Sequence, residues 1–535
     1  MVRRAGVLAL TALLACADPA TGPVPLGPAA RLARASLDLR GRRPTEEELD
    51  GVEADPDSFA ARVHAYVDAP EFGERVVARY AELYRTRSDL FVVGVDGSAD
   101  FLDDPTRMRF TRSVGEEPLR LLARVATDDL PWTTIVTADW TMADEGLLRH
   151  FPLQEEEAGE GWRRARYTDG RPPAGVLSTN GLWWRYTSTL ENVNRGRAQA
   201  ITELLLCDDR FVQPIAFRVS TDVYDTEALG ERVREDDACV ACHAVLDPLG
   251  SFLYGFYRNH PESYNEALAY QPGREGLWRE RTRVPPSYYG QPGDTLWDLG
   301  QFIAADPRFP TCAVQQAFGF LRGRAPGLDD TPALDAAREV FLAQDLRLRP
   351  LYETLVNDPA YGSNDEARGG RGPRRLGPDL LASSVEALTG YRWRWEGVDV
   401  MTTDEVGVRV LHGGADGTLV TDPSPDHATT SLLVEQRLAE AAAAWVVADE
   451  PRRAVDARIL FRELDPSQDH DAALRAAQVR ALVRRILSRA VSDDDPDVAG
   501  LLALWEARRA SGASPAEAWT SVVTALLRHP DFVAY

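Results

Sequence analysis

The stretch Cys239-Val240-Ala241-Cys242-His243, followed at once by Ala244-Val245-Leu246-Asp247-Pro248-Leu249-Gly250, constrains this chain more than any other. Two thiols three positions apart can each add to one vinyl group of a haem, and a histidine directly after the second thiol is then held beneath the iron as an axial ligand. With five cysteines and eight histidines in 535 residues, chance would produce this pattern on the order of once in a thousand such chains. Other chemistries fit the same residues. A redox dithiol of thioredoxin type needs its motif at the start of a long helix, and Pro248 and Gly250 are expected to interrupt one here. A zinc site built with Cys207 or Cys312 would require the adjacent Cys242 and His243 to reach one tetrahedral ion under strain. A plain disulfide between Cys239 and Cys242 is the third alternative.

The N-terminus bears on the compartment. Met1-Val2-Arg3-Arg4 is followed by an apolar run from Ala5 to Ala15 that ends in Leu13-Leu14-Ala15-Cys16. A positive start, a core too short to span a membrane and small residues before a cysteine read as a bacterial lipoprotein signal over residues 1–16, with Cys16 the lipidated first residue of the mature chain. Four cysteines then remain in an oxidising compartment. If haem takes Cys239 and Cys242, Cys207 and Cys312 are left as a pair, and a disulfide closing so long a loop contributes roughly 4 to 5 kcal/mol in the chain-entropy model.

Length and composition set the frame. A chain of 535 residues with 44% hydrophobic side chains is too long for one core and forms several. Its 83 acidic against 60 basic residues leave a formal charge of -23, which argues against nucleic acid and anionic lipid as direct partners and would attract a basic protein. Every basic residue is arginine, so no Schiff-base or P-loop lysine exists. Nucleophile elbows and zincin motifs are missing, and the glycine-rich stretch His412-Gly413-Gly414-Ala415-Asp416-Gly417 reads as a loop without a phosphate fingerprint.

The pattern along the chain is helical, and the fold class expected is mainly α, in several domains. Residues 17–28, rich in proline and glycine, read as a tether. Residues 29–150 read as an N-terminal helical domain: Thr45 and Glu48 form a capping box, Phe59, Val63, Tyr66 and Val67 an apolar stripe, and Pro70 opens a helix through Tyr84. Residues 151–363 read as a cytochrome c-like haem domain, with helices around Trp297 to Phe309 and Cys312 to Arg324 joined by Asp306-Pro307. Residues 364–375, glycine- and arginine-rich, are the expected linker to a C-terminal helical domain at 376–535. A sixth haem ligand, where present, is most often methionine or histidine; of Met108, Met142 and Met401, Met142 is placed first because it ends the domain preceding the motif. Arg195 and Arg197 invite a role with haem propionates, although arginines here are abundant enough for an ordinary solvated role. Phe252, Leu253, Tyr254, Phe256 and Tyr257 offer apolar cover for a macrocycle or serve as core.

Several short blocks together resemble one family. Leu37-Asp38-Leu39-Arg40-Gly41-Arg42-Arg43-Pro44-Thr45, the motif through Asp247-Pro248-Leu249-Gly250, Cys312 to Gly323-Arg324 and Ala525-Leu526-Leu527-Arg528-His529-Pro530-Asp531-Phe532 are similar to planctomycete-type cytochrome c surface proteins. These are large exported proteins built of domains of unknown function, found also in myxobacteria. The resemblance implies a mostly helical multi-domain fold, export and covalent haem c. The chain departs from the family where Tyr254-Gly255-Phe256-Tyr257 replaces an acidic residue followed by Phe-Asp. The function expected is a lipid-anchored electron-transfer protein of the bacterial envelope, outer membrane or periplasmic, serving a redox partner protein and touching the membrane through its anchor alone. The rival is a haem-free binding or assembly protein of the envelope in which Cys239 and Cys242 form a structural disulfide.

Overall fold

A computed structural model describes residues 25–87, 104–186, 188, 192–211, 237–256, 270–364, 372–404, 406–417, 419–424, 426–492 and 494–535. The chain is mainly helical, with three small antiparallel sheets among the described residues. No described helix is long and apolar enough to cross a membrane. Cys16 and the signal-like run lie outside the described residues.

Local sequence chemistry sets the helices. α1 spans Pro28–Arg40, with proline in its first turn and Gly41 as a left-handed C-cap at φ 73°. α2, Glu46–Ala54, has the expected capping box: the Glu48 N–H donates to Thr45 Oγ1 at 3.2 Å and the Thr45 N–H to Glu48 Oε2 at 2.7 Å. α3, Phe59–Asp68, buries the stripe Phe59, Val63, Tyr66 and Val67, and α4 runs Pro70–Tyr84. α5, Asp104–Thr127, lies along α4. β1 (Thr141–Ala143), α6 (Glu145–His150), β2 (Leu153–Glu155) and β3 (Arg163–Tyr167) follow, the strands ordered β1-β3-β2. Then come α7 (Asn180–Arg185), α8 (Arg195–Leu206), α9 (Asp237–Ser251), β4 (Ser287–Tyr288) paired with β5 (Gln291–Pro292), α10 (Leu296–Ala305), α11 (Arg308–Arg322), α12 (Thr331–Ala343) and α13 (Leu348–Asn357). The C-terminal part holds α14 (Pro378–Thr389), α15 (Thr429–Asp449), α16 (Ala472–Leu487), α17 (Pro496–Ala510) and α18 (Pro515–Leu527).

Two large cores organise these elements. The first draws on residues from Leu32 to Tyr361, the second joins Leu37 to residues from Leu376 to Val533, and a small third cluster gathers Phe110, Val114, Ala143, Leu147, Phe151 and Ala165. The boundary expected at residue 150 therefore falls inside one core: α13 packs on α3, and α1 to α4 bury their apolar faces with helices from the middle of the chain. The boundary near 364–375 does separate two cores, but its last residues are structured. The Arg374 N–H donates to Tyr535 O and the Tyr535 N–H to Arg374 O, each at 2.9 Å, and the Leu376 N–H donates to Val533 O at 2.8 Å. The far end of the expected tether is likewise pinned, Pro25 bridging Ser363 and the Leu26 N–H donating to Gly362 O at 2.7 Å.

α1 belongs to both cores. Leu32, Ala35 and Leu39 point into the first and Leu37 into the second. Polar residues on such an enclosed helix need internal partners. Arg34 donates to Tyr361 O at 2.8 Å, Arg40 clasps Glu48 at 2.9 Å, and Asp38 accepts from Tyr361 Oη at 2.8 Å and Tyr535 Oη at 2.7 Å. Just beyond the helix, buried Arg43 donates to Leu487 O, Asp531 O and Phe532 O at 2.9–3.3 Å.

Candidate functional site

α9 carries Cys239, Cys242 and His243 in one turn. Residues i, i+3 and i+4 of a helix share a face. The helix runs through Pro248 to Ser251 instead of breaking at the proline. An internal proline removes one helical hydrogen bond and costs roughly 3 kcal/mol. Burial of Leu246, Leu249 and Leu253, all 8% exposed or less, offsets that.

α9 is seated on α8 and β4. Asn194, the left-handed N-cap of α8 at φ 69°, donates from Nδ2 to Gly250 O at 3.2 Å. Arg195 Nε and Nη2 donate to the two Asp247 carboxylate oxygens at 2.5 and 3.2 Å. α8 packs on α11, and the Cys207–Cys312 disulfide closes the end of α8 onto that helix. The motif helix therefore stands on a covalently braced support. The same bond commits both sulfurs, so the zinc alternative built with Cys207 or Cys312 has no thiolate to use.

Cys239 and Cys242 are free thiols, both half-buried, and are not bonded to one another. His243 Nδ1 lies 3.2 Å from Asp247 Oδ1, one turn along the helix. With the proton on Nδ1 donated to that carboxylate, the Nε2 lone pair is the one left for a metal. Burial pushes the Asp247 carboxyl up, but hydrogen bonds from His243 and Arg195 outweigh it and hold the pKa below its ordinary value. Asp247 thus stays an anion and an acceptor. These groups fit covalent haem: two unpaired thiols at vinyl spacing and an imidazole whose second nitrogen is oriented from behind.

Other expected site residues go elsewhere. Met142 lies on β1, 4% exposed in the first core, and the principal neighbours of β1 are α5, α6 and β3, none of which is among those of α9. Met401 is buried in the second core and Met108 is half-buried on α5. Arg197 is 2% exposed and donates to Tyr186 O, Asn194 Oδ1, Phe256 O and Trp183 O at 2.7–3.2 Å. It is a core staple, four of its five N–H donors already committed inside the protein; burial lowers its pKa to about 9. Phe252, Leu253, Tyr254 and Phe256 are core, Phe256 meeting Tyr270 edge-on at 5.0 Å. Tyr257 lies outside the described residues. The residue that motif reading missed is Asp247 as orienter of His243. Its i+4 spacing is visible in the sequence, but only once the helix is known to pass through Pro248.

No family model, no curated protein and no solved structure matches this chain.

Proposed function

We propose that this chain is an exported, lipid-anchored c-type cytochrome-like protein of the bacterial envelope, moving electrons through one covalently attached haem c. The observation that carries the reading is the set on α9: two free thiols one turn apart, with His243 held at Nδ1 by Asp247, itself fixed by Arg195. The haem supplies the one-electron redox centre, and the protein supplies everything that places it. Cys239 and Cys242 would hold it through thioether sulfurs, and His243 Nε2 would be its imidazole ligand. Asp247 fixes the ring orientation and makes the imidazole a stronger donor, and Arg195 keeps that carboxylate from drifting to solvent. The likeness to planctomycete-type cytochrome c surface proteins, the signal ending at Cys16 and the disulfide of an oxidising compartment support the same assignment. The partner in this reading is a redox protein of the envelope with a basic docking face suited to a chain of charge -23.

The deciding experiment is intact mass together with a reduced absorption spectrum, on protein exported by a host that has haem-attachment machinery. The Cys239→Ala, Cys242→Ala double variant is run beside it. A haem-sized mass increment and sharp reduced bands, both lost in the variant, are expected. Apoprotein from the same host, with the two thiols bonded to each other, would overturn the assignment in favour of a haem-free binding or assembly protein.

A further inference from the structure

The two sulfurs of the Cys207–Cys312 disulfide stand in different surroundings. Cys312 is 2% exposed on α11, whereas Cys207 caps α8 in the left-handed region at φ 49° and is exposed. A bond sealed in a core opens only when the chain unfolds, but one with an accessible sulfur is open to attack by a thiolate. This bond also borders a groove of about 640 Å³ between the end of α8 and the start of α11, with Arg338 of α12 in its wall.

The groove suits an incoming anionic sulfur. Arg210, Arg308 and Arg338 line it together with Asp208 and Asp209. The Asp208 charge is answered by Arg210 and by Arg308 Nη1 at 3.4 Å. Arg338, whose Nε donates to Thr311 Oγ1 at 3.2 Å, adds a further guanidinium. Behind the bond, Gln316 Nε2 donates to Leu204 O at 2.8 Å and lies 3.3 Å from Cys312 Sγ. An amide nitrogen carries two hydrogens, so one is available to the carbonyl and one to the sulfur. Attack on the exposed Cys207 makes Cys312 the leaving group. Burial of Cys312 works against a thiolate there, and the Gln316 N–H works for it.

We propose that this groove is a thiol–disulfide exchange site, where a dithiol reductant opens the Cys207–Cys312 bond in the folded protein. One thiolate of the reductant attacks Cys207 Sγ, the S–S bond breaks, and its electron pair leaves on Cys312 Sγ, which accepts from Gln316 and then takes up a proton. The reductant's second thiolate attacks the reductant sulfur of the mixed disulfide and releases Cys207, which is protonated in turn. Two electrons and the two thiol protons pass to the protein, and the reductant leaves as its own disulfide. With the bond open, α8 is held to α11 by packing alone, and the support of α9 loosens. The inference does not depend on haem at α9.

The full chain is incubated briefly under native conditions with glutathione, a monothiol whose first product is the mixed disulfide, then acid-quenched, alkylated and mapped by mass. The Cys239→Ala, Cys242→Ala variant is run beside it, so that the result is read with and without the α9 thiols. Glutathione on Cys207 with Cys312 alkylated is expected in both. Glutathione on Cys312, or reduction no faster than global unfolding calibrated in urea, overturns the proposal. Dithiothreitol and reduced thioredoxin at equal dithiol concentration distinguish the source. Faster reduction by thioredoxin assigns the groove to a protein dithiol, a rate no greater assigns it to small thiols, and both uphold exchange. Gln316→Met is expected to slow reduction about tenfold by removing the donor to the leaving thiolate. An unchanged rate, or the faster one that mere loosening of α8 would give, overturns the assigned leaving group. Amide exchange in α8 and α9 is expected to rise several-fold on reduction, and unchanged protection overturns the loosening.

Discussion

Two histidines show how little a residue's identity says until its neighbours are known. His243 is half-buried on α9 and has a carboxylate behind its ring. His412, in the glycine-rich loop, is fully buried in the C-terminal unit and has a cation in front of it. Arg375 Nη1 lies 3.3 Å from both ring nitrogens, Nε2 faces Leu376 O at 3.2 Å, Glu435 is 3.9 Å away and His427 adds a further repulsive charge. Burial, then the Arg375 charge, lowers the His412 pKa to about 4, while burial raises that of Glu435 above the usual carboxylate range. Folded His412 is therefore neutral where an unfolded one, with a pKa near 6.5, takes up a proton. Stability is complete above pH 6.5 and is lost as the pH falls from there towards 4. Between pH 7.5 and 5 this one residue is expected to account for about 2 kcal/mol. Unfolding free energies from urea titrations at those two pH values should differ less, by about that amount, in His412→Gln than in the parent.

At the scale of elements, helix starts and stops were written in the sequence, and helix contacts were not. The Thr45–Glu48 box, the Pro70 start, the Gly323 stop at φ 70° and the Ser514 cap all stand where local chemistry puts them. The continuation of α9 through Pro248 was not legible, because what sustains it is burial against α8 and β4 rather than propensity. Contacts between helices depend on small residues whose purpose only the partner reveals. A Cβ at Gly181 on α7 would lie 2.0 Å from Val114 O and 3.0 Å from Pro118 Cδ on α5. Gly181→Ala is expected to destabilise by about 2 kcal/mol through overpacking, against a helix-propensity gain of about 1 kcal/mol. Gly500, on α17, has nothing within 4 Å of such a Cβ, so Gly500→Ala is expected to stabilise by about 0.5 to 1 kcal/mol. Thermal or urea melts of the pair read both signs in one experiment.

For the whole molecule, the strongest single constraint is the disulfide across 105 positions. Cys207→Ser with Cys312→Ser is expected to lower stability by about 4 to 5 kcal/mol, and the loss should appear in the calorimetric transition of the first core, where α8 and α11 sit. The bond's partners followed from counting cysteines once two were set aside for haem. Its effect on the site, bracing the support of α9, follows only from the packing of α8 between α9 and α11. The sequence by itself determined the helical class, the ends of several helices and the thiol and imidazole spacing of the motif. Those properties depend on residues within a few turns of one another. Tertiary structure alone decided that the N-terminal helices share the core of the middle segment, that α1 serves both cores, and that Arg195 reaches Asp247 behind His243. Such contacts join positions from about fifty to several hundred residues apart, and no local pattern encodes a partner that distant. Their geometry is set by which apolar faces can be buried together, a property of the whole chain.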